Sequence, residues 1–224
     1  MFKFFKKLFS KQEPQKEFSS EEYDKHYEQK QAGLEKVLGP MHNMVGHAII
    51  PFQVGGAVDM YYFPKTETMG TGFVTMELIE PDGSGPKPNR TGTFELVAFT
   101  NKAMPDNEVE NEEANQTPFN IIERRICGIF TGIGNYSYYA TLQPGETCEL
   151  PREGKENICL IFDEYKPNGI EFYIGETKHG LLLCIEIFRS EMKYAMENGS
   201  QSLFTLLKEK NYYPYSDLDR VAVI

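Results

Sequence analysis

Leu181-Leu-Leu-Cys-Ile-Glu-Ile-Phe188 runs directly into Arg189-Ser-Glu-Met-Lys-Tyr-Ala-Met-Glu-Asn198, and Gly199 separates that segment from Ser200-Gln-Ser-Leu-Phe-Thr-Leu-Leu207. The first part is an apolar run of strand length. A helix is expected from near Ser190 to Asn198. Gly199 breaks it, Ser200 is placed to cap the next start, and Leu203, Phe204, Leu206 and Leu207 build a second helical face to about Lys210. One stretch thus holds a strand and two helices.

The same alternation of element types extends in both directions. Towards the N-terminus, Ile158–Phe162 and Gly169–Ile174 read as two more strands. Further back, Phe119, Ile122, Ile126, Ile129 and Phe130 space helically after Pro118, and the glycines from Gly128 to Gly134 are expected to end that helix. Ala57–Phe63, Thr71–Ile79 and Gly92–Thr100 read as three strands joined by turn-like stretches, an antiparallel meander. Ser19-x-x-Glu22 is a capping box, and Gly39-Pro40 is a stop signal, so a helix is predicted over 20–38 with Tyr23, Tyr27, Leu34, Val37 and Leu38 on one face. The sum is an α+β architecture: a mixed, largely antiparallel sheet flanked by helices, in a single domain over residues 19–224. Residues 1–18 form a basic, aromatic arm and linker.

The 224 residues carry 23 Lys and Arg against 33 Asp and Glu, a net charge of −10. That excess argues against a nucleic-acid binder, which needs a basic face, and favours either a basic protein partner or plain solubility. The first twelve residues hold Lys3, Lys6, Lys7 and Lys11 and no acid, so the negative charge belongs to the domain. Its densest cluster is the polar loop 101–116, with Asp106, Glu108, Glu110, Glu112 and Glu113. If residues 1–9 are helical, Phe2, Phe5 and Phe9 share a side, which gives a weak membrane-surface reading. They lack the uninterrupted apolar core of a signal peptide, and Cys127, Cys148, Cys159 and Cys184 form no C-x-x-C pair. The expected compartment is the cytoplasm, with the cysteines reduced.

The motifs for chemistry are sparse. Gly128, Gly132 and Gly134 have the wrong spacing and context for a phosphate loop. His42 and His47 do not share a helix face, and His26 and His179 are isolated, so no metal and no cofactor is expected. Cys184 lies in an apolar strand, where a thiol is inert. Paired acids at Asp163-Glu164 and Asp217-x-Asp219 are the only basis for a hydrolase reading; the structural alternative is that they are solvated or pair with a local base such as Arg220. Asp59, within an apolar and aromatic strand, is either a buried structural carboxylate with partners or faces outward by alternation. Tyr136, Tyr138 and Tyr139, beside the glycine-rich stretch, are candidate partner contacts, because aromatics dominate interface energetics.

Several stretches together resemble the suppressor-of-fused-like domain family. Val58-Asp-Met-Tyr-Tyr-Phe63 followed by Gly72-Phe-Val-Thr-Met-Glu-Leu78 is similar to its early hairpin, and Phe94-Glu-Leu-Val97 to its next strand. Ile185–Leu203, with its acid-Met helix and Asn-Gly break, and the ending Asp219-Arg220-Val-Ala-Val223 carry most of the likeness. It covers roughly residues 40–224. The resemblance implies a non-enzymatic protein-binding module. Animal members restrain a transcription factor, and bacterial members are regarded as immunity proteins that neutralise a cognate toxin. The short single-domain form looks bacterial, so the resemblance points to toxin immunity by direct binding.

Overall fold

The computed structural model describes residues 18–105 and 116–224. Helix α1 spans Ser20–Leu38, with the capping box in place: the Glu22 amide donates to Ser19 Oγ, and Ser19 N–H donates to the Glu22 carboxylate at 2.8 Å. Strands β1 (Val45–Gly46), β2 (Met60–Phe63), β3 (Thr71–Val74) and β4 (Phe94–Thr100) follow. Helix α2 (Pro118–Ser137) leads to β5 (Thr147–Leu150), β6 (Ile158–Glu164), β7 (Phe172–Ile174) and β8 (Thr177–Ile187), then α3 (Arg189–Asn198) and α4 (Ser200–Glu209).

The eight strands form one sheet in the order β1-β2-β3-β4-β8-β6-β5, with β7 paired to β8. All pairings are antiparallel except β4 with β8, which run parallel with Phe94 opposite Gly180 and Val97 opposite Leu183. Alternation along the central strands divides two cores. Val97, Phe99, Leu183, Ile185 and Ile161 face α1, α3 and α4. Phe94, Leu96, Leu182, Cys184, Leu160 and Phe162 face α2. The predicted α+β class, the meander and the single domain therefore hold.

Element limits differ from the sequence reading in several places: β7 starts at Phe172 rather than Gly169, β8 starts at Thr177 rather than Leu181, and three further differences have a local reason. The glycines do not end α2, which runs through Gly128, Gly132 and Gly134 to Ser137. A Cβ on Gly134 would lie 3.2 Å from both Leu78 and Phe52, so the bare backbone lets the helix approach the 75–79 segment and the turn at Phe52 closely. The strand expected to run to Ile79 stops at Val74, because residues 75–79 wrap around a buried ion pair. Lys30 Nζ donates to the Met76 and Ile79 carbonyls and to Glu95 Oε1, each at 2.7 Å. Glu95 also accepts from Thr75 Oγ1 at 2.6 Å and from the Leu78 and Ile79 amides. These bonds replace a strand ladder. Strand β2 begins at Met60 and leaves Asp59 outside, since its amide donates to Glu77 Oε2 at 2.8 Å. Strand β5 was not foreseen, and neither was Gly199, rather than Ser200, as the N-cap of α4.

The C-terminal segment completes the sheet. Beyond Val97 and Leu183, β4 and β8 stop pairing, and Tyr215–Asp217 lies between them. Tyr215 bridges Phe99, the Ser216 amide donates to the Phe99 carbonyl at 2.8 Å, and Ser216 Oγ donates to the Cys184 carbonyl while accepting from the Glu186 amide, both at 3.1 Å. Arg220 then returns to Glu191 at the start of α3, a pair buried between the Phe188 and Tyr212 rings.

Candidate functional site

The C-terminal turn of α2, the segment 141–148 and the α3–α4 junction enclose a cleft of about 670 Å³. Its floor is fixed by main-chain bonds: the Gly145 amide donates to the Phe162 carbonyl at 2.7 Å, and the Phe162 amide to the Glu146 carbonyl at 2.9 Å. Ser200 Oγ donates to the Gly145 carbonyl and ties the helix junction to this segment. The short turn at Gly199 is what brings Met196 and Ser200 to the cleft wall.

The three candidate tyrosines divide. Tyr136 lines the cleft and is 48 % exposed, and Tyr139 is 59 % exposed. Both occupy the end of a helix and its following turn, not a glycine-rich bend. Tyr138 turns inward, donates to the Leu78 carbonyl at 3.0 Å, and burial raises its phenol well above the ordinary value. Tyr138 therefore packs against the core beside Phe52. Sequence reading missed Met196, which lines the cleft and is 69 % exposed. Its place beside Glu197, repeating the acid-Met pairing of Glu191-Met192 one turn earlier, was the only available signal. The cleft wall includes one carboxylate, Glu146. Cys148 also lines it, with burial pushing its thiol up, so the reactive thiolate is disfavoured.

The acidic pairs enter separate structural networks. Asp163 accepts from Tyr213 at 3.1 Å and from the Glu164 amide. Buried Asp217 accepts from Thr100 Oγ1 at 2.7 Å and the Asn101 amide at 2.8 Å. Burial raises its carboxyl against the lowering effect of those bonds. Asp219 pairs with Lys102 at 2.5 Å. Arg220, the base that the structural alternative offered these acids, pairs instead with Glu191, because the chain turns back onto α3 there. Asp59 is half-buried between buried Val58 and Met60 and combines features of both readings: it accepts from the Ala48 amide at 2.8 Å and lies 2.7 Å from Nδ1 of the exposed His47. Among the described residues, no group of His, Cys, Asp or Glu is arranged to hold a metal, and no helix is long and apolar enough to cross a membrane. Asp106, Glu108, Glu110, Glu112 and Glu113 and the arm at 1–9 lie outside the described residues.

No family model and no curated protein matches the sequence. Among solved structures, a chain of "the Sufu-Fu complex crystal structure" is similar, with a TM-score of 0.54 and 16% sequence identity over 86% of this chain and 89% of that one. At this identity the likeness establishes a Sufu-like fold, in agreement with the resemblance read from the hairpin and the C-terminal motifs.

Proposed function

We propose that the chain is a non-enzymatic protein-binding module, and that its partner is a basic toxin domain which it neutralises in the bacterial cytoplasm. The observation that carries the reading is the cleft lined by Tyr136 and Met196, with Tyr139 exposed on the turn that follows the same helix. Exposed aromatics and methionine around a concave, rigid-floored surface match the composition of interface centres. The net charge of −10 supports steered association with a basic protein. The similar solved structure is titled as a complex, which favours the binding class. The immunity role rests on the family resemblance.

The test pairs the chain with the product of an adjacent toxin-like gene and measures binding by biolayer interferometry. A complex at micromolar concentration or tighter is expected. Replacing both Tyr136 and Tyr139 by Ala should weaken it by about 30-fold, the roughly 2 kcal/mol of a hot-spot pair. No complex with that product, or an affinity indifferent to both tyrosines, overturns the assignment of this cleft.

A further inference from the structure

A second cavity, of about 250 Å³, opens between α1 and the 76–81 segment. We infer that it receives one arginine side chain of a protein partner, stacked among Tyr23, Tyr27 and Tyr61 and paired with Glu77 and Glu80. This rests on the protein-binding reading and places a second contact on the surface.

Three observations support the assignment. The first is size. Ligand pockets generally run from about 300 to 1,000 Å³, so this cavity suits one long side chain rather than a free small molecule. The second is the wall. Tyr23 and Tyr27 stand one helical turn apart on α1 and are partly exposed, and the Tyr27 ring centre lies 6.1 Å from that of buried Tyr61. Aromatic faces at an open mouth attract a cation, and a planar guanidinium stacks on them better than an ammonium does.

The third is charge. Asp24, Glu77 and Glu80 line the cavity, and no Lys or Arg does among the described residues. The lining His26 holds the Ile79 carbonyl at 2.8 Å, and burial, with nearby Lys30, keeps its pKa low, so it is neutral at pH 7. Lys30 lies behind the wall with its donors committed to Met76, Ile79 and Glu95. Glu77 Oε2 accepts from the Asp59 amide at 2.8 Å. Burial first, then the Asp59 and Glu95 carboxylates, raise its pKa to about 7 against the pull of that amide and of Lys30. An arriving guanidinium would relieve that cost and offer a bidentate match to a carboxylate.

The probe is N-acetyl-arginine methylamide, titrated into the full chain labelled with 3-fluorotyrosine and followed by fluorine NMR at pH 8. Saturable shifts of the Tyr23, Tyr27 and Tyr61 signals are expected at millimolar concentration, the scale of about −4 kcal/mol for one side chain. The uncharged citrulline analogue should bind at least about tenfold more weakly, and the lysine analogue several-fold more weakly. The Glu77→Gln/Glu80→Gln variant should lose at least about fivefold, and Tyr27→Leu should do likewise if the double variant fails to fold. Equal binding of arginine and citrulline, or shifts indifferent to the folded variant, overturns the pocket. Equal binding of lysine overturns the guanidinium assignment. Failure of this titration leaves the partner reading at the Tyr136 cleft standing, and failure of the toxin capture leaves the arginine pocket standing.

Discussion

At the scale of single residues, the fold depends on charges placed where charges are costly. Lys30 and Glu95 are both fully buried, and each has its hydrogen-bonding capacity taken up by the 75–79 segment or by its partner. Removing one member leaves an uncompensated buried charge, so Lys30→Met should destabilise by about 3–5 kcal/mol in urea unfolding, and the double variant Lys30→Met/Glu95→Leu by less. Glu77 makes the opposite case. Its folded pKa of about 7 lies above its ordinary 4.5, so the folded state holds the extra proton. Its stabilising contribution is complete below about 4.5 and is lost as pH rises through about 7. Glu77→Gln keeps an acceptor for the Asp59 amide and removes that loss. It should raise stability at pH 8 by on the order of 1 kcal/mol, after allowance for partial solvent access, and change it little at pH 4. Equal effects at the two pH values would place the origin elsewhere. Neither residue was legible in the sequence: Lys30 is one of several lysines on a polar helix, and nothing local marks its burial.

At the scale of elements, glycine separates what a spacing pattern shows from what packing decides. The apolar positions of α2 were readable from Phe119 to Phe130, but its end was not. Glycine is a poor helix former in isolation, whereas here the apolar face continues through Ile133 and buries against the sheet. A Cβ on Gly128 meets nothing within 4 Å, while one on Gly134 is 3.2 Å from Leu78 and Phe52. Gly128→Ala should therefore stabilise the protein by about 0.5–1 kcal/mol through helix propensity. Gly134→Ala should gain less or lose stability, read as a difference in thermal midpoint. The C-terminal strap is an element that only pairing reveals. Ser216 fills the gap between β4 and β8 with two side-chain bonds, and Ser216→Val should cost about 1–3 kcal/mol by leaving the Glu186 amide and Cys184 carbonyl unpaired.

Across the whole molecule, charge and shape play different parts. On the proposed reading, the excess of acid supplies a long-range field, while the cleft at Tyr136 and the cavity at Tyr27 supply local fit. Neutralising Asp106, Glu108, Glu110, Glu112 and Glu113 by Asn and Gln should lower the association rate with a basic partner and its salt dependence, and change the dissociation rate little. Stopped-flow measurements at two ionic strengths check this, and an effect confined to dissociation would count against steering. By itself the sequence determined the element types apart from β5, the capped first helix, the meander, the two C-terminal helices and the net charge, because these follow from composition, near-neighbour periodicity and capping. Only the tertiary structure decided that β4 and β8 run parallel, that Arg220 answers Glu191, that Tyr138 points inward while Tyr136 and Tyr139 do not, and that Tyr23 meets Glu80 across a cavity. The reason is that burial and pairing between residues distant in the chain depend on where the backbone places them, and a local pattern carries no record of that.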